Sequence, residues 1–197
     1  MKKAVVFILL WSLAISINAQ DDNNGTAIIY LSRTKNTEAV AKLIQAKVGC
    51  DLIKLELQKP YPENYTAIVA QVAKENETGY LPPLKTAVEV AQYDTLFIGF
   101  PTWGMQLPPP IKSFLKSHDL KHKVIVPFNT YAGYGVGSGF NQIKELCPNS
   151  LVLEGFSVKG GVERDGIFLA IKEEKEQEVE QLVAKWLAKL KTNQYEK

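Results

Sequence analysis

The chain has 197 residues, 46% of them hydrophobic and 22% charged, with 23 Lys+Arg against 21 Asp+Glu. This is the composition of one ordinary globular domain, and it excludes a disordered or fibrous chain. Charge so nearly balanced gives no ground for nucleic-acid binding.

The amino terminus reads as a separate unit. Lys2 and Lys3 give a basic start, residues 4–17 are apolar apart from Ser12 and Ser16, and Asn18-Ala19-Gln20 leads into the polar Asp21, Asp22, Asn23 and Asn24. That order is the pattern of a secretory signal peptide over residues 1–19, and its apolar run is shorter than the roughly 20 residues of a membrane-spanning helix. Cleavage is expected near Ala19, although Ile17 stands where a small residue is preferred and Ala14 or Ser16 offer other cut sites. Removing residues 1–19 takes away Lys2 and Lys3 and leaves 21 positive against 21 negative side chains. Residues 20–26 are then a short flexible segment, 27–191 one domain and 192–197 a tail. The expected destination is the periplasm or the exterior, with no membrane span after cleavage.

Residues 27–31 form a continuous apolar run, followed by a polar turn and then Val40, Leu43, Ile44 and Val48 at helical spacing. Residues 51–57 alternate, with Ile53, Leu55 and Leu57 on one face and Lys54 and Glu56 on the other, as in an edge strand. Tyr65, Ile68, Val69 and Val72 return to helical spacing. A buried-strand pattern at 95–100, a Pro-rich loop and a helix carrying Ile111, Phe114 and Leu115 come next. Residues 124–128 repeat the strand signal, a Gly-rich loop follows, and Phe140, Ile143 and Cys147 continue as a helix. Residues 151–158 supply a fifth strand, bent or interrupted near Gly155, before a long helix striped by Val179, Leu182, Val183, Trp186, Leu187 and Leu190. Five alternations of strand and helix specify a parallel sheet with helices on both faces.

In such a sheet, ligands bind beyond the carboxyl ends of the strands. Three loops of unusual composition leave those ends. The first, Ser32-Arg33-Thr34-Lys35-Asn36-Thr37, gathers hydroxyls at a helix amino terminus, where backbone amides and the helix dipole favour an anion. It matches neither the Walker loop nor the dinucleotide G-x-G-x-x-G loop. The second opens Pro101-Thr102-Trp103-Gly104, where an indole face can cover a planar ligand and glycine permits close backbone approach. The third runs Asn129-Thr130-Tyr131-Ala132-Gly133-Tyr134-Gly135 and offers a second aromatic face. His118 and His122 lie at the opposite end of the sheet and are read as a surface connection, Arg164 and Asp165 as part of another turn. No metal site and no catalytic acid or base is expected.

Together the three loops resemble those of the flavodoxin family, from about residue 27 to residue 190. The first is similar to that family's hydroxyl-rich T-G-N-T loop, and Thr102-Trp103-Gly104 to its T-W-G loop. The resemblance implies an α/β flavodoxin-like fold with a five-stranded parallel sheet of order 2-1-3-4-5, and FMN as cofactor. It places the phosphate at Ser32, Thr34, Asn36 and Thr37, Trp103 on one face of the flavin, and Tyr131 or Tyr134 on the other. Gly104 would turn its carbonyl toward the flavin N5 on one-electron reduction. On this fold Cys50 and Cys147 fall near opposite sheet edges and are expected to be buried and unpaired. Lys35 departs from the family, which usually has glycine there. A positive φ at that residue would cost a lysine roughly 1 kcal/mol or more. The 101–110 and 129–141 loops carry no charged residue, so a doubly reduced flavin anion is destabilised less than in acidic flavodoxins.

The function implied is an exported FMN electron carrier, working with a redox partner protein or a small-molecule acceptor. Two alternatives stand beside it: an FMN-dependent NAD(P)H:quinone-type reductase of the same fold, and a ligand-binding or interaction module that has lost its flavin.

Overall fold

The computed structural model describes residues 25–195, so the expected signal peptide, residues 1–19, lies outside the described residues. Strand β1 (Thr26–Tyr30) leads to helix α1 (Asn36–Val48), edge strand β2 (Asp51–Lys54) and helix α2 (Tyr65–Thr78). Strand β3 (Thr95–Pro101), helix α3 (Pro109–Ser117), strand β4 (Val124–Tyr131) and helix α4 (Gly139–Leu146) follow. Two short strands, β5 (Leu151–Val152) and β6 (Phe156–Lys159), precede the long helix α5 (Glu173–Tyr195). The sheet is parallel throughout, in the order β2-β1-β3-β4-β5, with β6 also on β4. This is the flavodoxin-like order expected from the sequence.

The strand period sorts side chains onto two faces. Ile29, Leu31, Leu96, Ile98, Phe100 and Ile125 point to one layer, where Ile111, Phe114, Leu115 and Ile143 of α3 and α4 cover them. Ile28, Tyr30, Phe97, Val126 and Phe128 point to the other, under Val40 and Ile44 of α1 and Val179, Val183 and Trp186 of α5. Cys50 and Cys147 are both buried and free.

The fifth strand is divided. β5 pairs with β4 at Val124 and Ile125, and β6 pairs with it again from Phe128 onward. Between them the ring of Phe140 from α4 presses on Gly155, where an added Cβ would lie only 2.6 Å from the ring. The second strand ends earlier than its alternation suggests. After Leu55, whose amide still donates to Tyr30 O, the chain leaves β1 to pair with the segment near residue 84, where Leu57 and Leu84 form an antiparallel bridge. Thr86 and Pro83 supply further bonds to Glu56 and Gln58 there.

Helix α2 is set apart. Asn64 caps it, its side chain accepting from the Ala67 amide at 3.0 Å, and Gly79 ends it in the left-handed region. None of its residues belongs to either core layer.

Candidate cofactor site

The loops after β1, β3 and β4 open at one end of the sheet and border a single cavity of about 880 Å³. Two further elements complete its walls: one face of α2, and the segment that follows β6.

The first loop ends with Lys35 at φ 65°, ψ 0°, in the left-handed region, immediately before α1. A left-handed residue followed by helical ones turns successive amides to the same side, a concavity suited to an anion. The first amides of α1 have no carbonyl within the helix to bond. The Ser32 hydroxyl takes one of them, accepting from Glu38 N at 3.3 Å. Asn36 is buried and its side chain is fully engaged. Its Nδ2 donates to Thr34 Oγ1 and to Phe168 O, and its Oδ1 accepts from the amides of Ala170 and Ile171. The side chain therefore ties the loop to the segment before α5, leaving its backbone amide as the group available to a ligand. Thr37 is likewise engaged, its hydroxyl 2.8 Å from that of Thr130.

Arg33 reaches across the cavity rim. Its guanidinium pairs with Glu163 at 2.8 Å and donates to the carbonyls of Pro62 and Glu63, so three separate segments meet on one side chain.

Trp103 and Gln106 bond each other's backbones around a two-residue turn, with Gly104 at φ 58° and Met105 at φ 60°. Positive φ at both central positions is the type I′ turn, which glycine enters without strain. This turn is fastened to the third loop: Met105 O accepts from Ser138 N at 3.0 Å, and the Thr102 hydroxyl donates to Gly135 O at 2.9 Å. Beneath both, Asn129 Nδ2 donates to Phe100 O. The indole of Trp103 is half-buried and stands edge-on to Tyr61, with ring centroids 5.4 Å apart.

Of the residues singled out in the sequence, Arg33, Thr34, Asn36, Pro101, Thr102, Trp103, Gly104 and all of Thr130 to Gly135 border the cavity. Ser32, Lys35 and Thr37 are not among its lining residues. Tyr131 is half-buried at the end of β4, whereas Tyr134 is 77% exposed. Two walls escaped sequence reasoning. The stripe Tyr65, Ile68, Val69 and Val72 is visible in the sequence but reads as a core face, and only the exposure of Tyr65 and Val69 shows that it looks into the cavity. Arg164 and Asp165 read as part of a turn, yet with Gly160, Gly161 and Glu163 they line the cavity.

The second of these walls changes the electrostatics. The aromatic loops are uncharged, but Arg33, Lys159 and Arg164 line the cavity with Glu77, Glu163 and Asp165, three of each sign. Arg33 pairs with Glu163 and Arg164 with Asp165, the latter at 3.0 Å. No group of three or more His, Cys, Asp or Glu close enough to hold a metal ion occurs among the described residues. An amide-lined helix terminus beside aromatic and glycine-rich loops suits a flat molecule with an anionic tail.

Comparison with known proteins agrees with this geometry. Residues 26–173 match the family model described as Flavodoxin. The fold is similar to that of a suspected flavoprotein from Bacteroides eggerthii, at 26% identity and a TM-score of 0.67 over 83% of this chain and 95% of that one. A flavoprotein in complex with FMN from Lactobacillus acidophilus is similar over 69% of this chain and 93% of its own, at 19% identity and a TM-score of 0.60. A search of curated proteins gives no match. With the family model covering most of the chain, the protein belongs to the flavodoxin family.

Proposed function

We propose that this flavodoxin binds FMN and carries electrons outside the cytoplasm. The observation that carries the reading is the gathering of three loops, separated in sequence, around one cavity at the head of α1. The residues present fit the cofactor. Amides at the start of α1 with the Thr34 hydroxyl would hold the phosphate, and the Lys35 ammonium, outside the cavity lining, would add attraction at longer range. Trp103 would cover one face of the ring system and Tyr131 or Tyr134 the other. When bound, FMN supplies the redox chemistry, so the chain needs no catalytic acid or base. Its own residues position the ring, hold the phosphate and set the local field.

The FMN-bound Lactobacillus protein and the family match support the same reading. Titrating the purified protein with FMN and following the quenching of flavin fluorescence tests it. Saturable quenching and a yellow protein are expected; a colourless protein that leaves FMN fluorescence unchanged overturns the reading and favours a flavin-free binding module. Export is tested by the mass of the mature chain recovered from the cell exterior or periplasm, expected to lack residues 1–19.

A reductase of the same fold is the second reading, favoured by the extension of the cavity along α2 beyond the three loops. Rapid reduction by NADPH without a partner protein would select it; no reduction selects the carrier.

A further inference from the structure

Trp103 lines the cavity, and beside it stands Tyr61, which is not among the lining residues. The two rings meet edge to face, with centroids 5.4 Å apart and planes at 86°. Tyr61 donates its hydroxyl to Glu75 Oε2, and Gln71 Nε2 donates to Glu75 Oε1 at 2.8 Å. Glu75 is buried, and both of its oxygens accept, the pattern of an ionised carboxylate with no proton of its own to give.

A phenol bonded to a buried carboxylate serves packing in any fold. What sets this one apart is the indole on its other side. Among the described residues, Trp186 meets Phe97 and Phe156 but no phenol. Tyr93 donates to the carboxylate of Asp51 but has no ring contact with an indole. Only Tyr61, among the described residues, joins an indole to a carboxylate.

Indole and phenol rings both yield single electrons to strong oxidants, and a phenol does so more readily when a base takes its proton in the same step. Burial and the bond to Glu75 hold Tyr61 protonated well above the ordinary range of a tyrosine, so its oxidation has to move the proton too. The hydrogen bond already aims that proton at its acceptor.

We propose that Tyr61 and Glu75 form a proton-coupled electron relay that restores Trp103 after a one-electron oxidising radical has attacked the cavity wall. The radical takes one electron from the indole and leaves an indole radical cation. One electron then passes from Tyr61 to the indole across the ring contact. The phenolic O–H bond breaks as a new O–H bond forms on Glu75 Oε2. The products are a neutral indole, a neutral tyrosyl radical and a protonated Glu75, so charge and electrons balance. Tyr61 is half-buried, within reach of a one-electron reductant in solution such as a thiolate, which returns the phenol as Glu75 gives back the proton. The relay uses side chains of this chain alone and does not rest on the FMN reading.

Pulse radiolysis of the purified protein without FMN tests it, using azide radical, which oxidises indole in preference to phenol. The absorption of the oxidised indole is expected to give way to that of a tyrosyl radical in a first-order step, independent of protein concentration and slower in deuterium oxide. Tyr61→Phe, which keeps the ring, and Trp103→Phe should each abolish that step. Glu75→Gln keeps a hydrogen-bond acceptor without the base, and should slow it by about a hundredfold, the lower end of the range for a positioned base. Absence of the step in the native protein, or a rate there that is insensitive to deuterium oxide, overturns the relay, and neither result depends on a variant folding. The same rate in Tyr61→Phe or in Glu75→Gln overturns it as well.

Discussion

Tyr61 stands edge-on to Trp103, the planes at 86°, and donates its hydroxyl to the carboxylate of buried Glu75. Burial, together with this bond to Glu75, pushes the Tyr61 pKa far above its ordinary value. Gln71 is the other donor to that carboxylate. Tyr61→Phe keeps the ring and leaves Glu75 to Gln71 alone, at an expected cost of about 1–3 kcal/mol in a denaturant titration. Tyr61→Ala also releases the indole, and should weaken FMN by up to about tenfold.

Lys35 holds a conformation that costs an L-residue about 1–2 kcal/mol, partly offset because glycine has more unfolded-state freedom to lose. Lys35→Gly should therefore raise stability by about 0.5–1 kcal/mol. Its FMN affinity should fall, through loss of the ammonium, and the difference from the native protein should shrink at high salt. An FMN affinity unchanged at low salt would show that the lysine does not help hold the phosphate.

Asn36→Ala removes the acceptor of two backbone amides, those of Ala170 and Ile171, at a site only 3% exposed. Leaving them unpaired should cost about 2–4 kcal/mol, read from the denaturation midpoint. Hydrogen exchange should accelerate at Ala170 and Ile171 before it does in β3 or β4.

Burial pushes the Cys50 and Cys147 thiols up to about 11 from an ordinary value near 9. The folded chain keeps these protons to higher pH than the unfolded chain does. Their contribution is therefore complete below about pH 9 and is lost as pH rises through the folded value near 11. Tyr93, pushed up to about 12 chiefly by its bond to Asp51, extends the decline. Urea titrations at about pH 8 and about pH 10 should show lower stability at the higher pH, and a Cys50→Ala/Cys147→Ala variant a shallower fall.

The cavity lining carries equal numbers of positive and negative side chains, two pairs of them in contact. Adding negative charge to a bound flavin therefore meets little net repulsion. The second reduction potential should be less negative than in acidic flavodoxins, and Arg164→Glu should lower it. An equally low potential in the native protein would contradict this.

The alternation of elements and the helix faces were legible because strand and helix periods differ and the apolar runs of β3 and β4 are unbroken, whereas the strand order came with the resemblance of the three loops to the flavodoxin family. The break near Gly155 was also legible, since glycine interrupts the run. The site was legible in part. Its three loops have distinctive residues at the ends of recognisable strands, whereas the α2 wall follows the same spacing as a helix packed on a core. Nothing in Tyr65 and Val69 as letters separates a cavity wall from a core face. The 160–165 segment was silent for another reason: its role depends on Arg33 meeting Glu163 across the fold, a pairing between residues remote in sequence.

The division of the fifth strand also bears on edge-to-edge strand pairing. A continuous edge strand is a template for another chain, and an interrupted one is not. Here the gap is further occupied: Glu154 O accepts from Trp186 Nε1, and the Glu154 carboxylate holds Lys189. The opposite edge, β2, is four residues long and carries Asp51 and Lys54 at its ends. Each edge thus gives strand addition only a short run of about four residues to pair with, which disfavours edge-to-edge aggregation at high concentration.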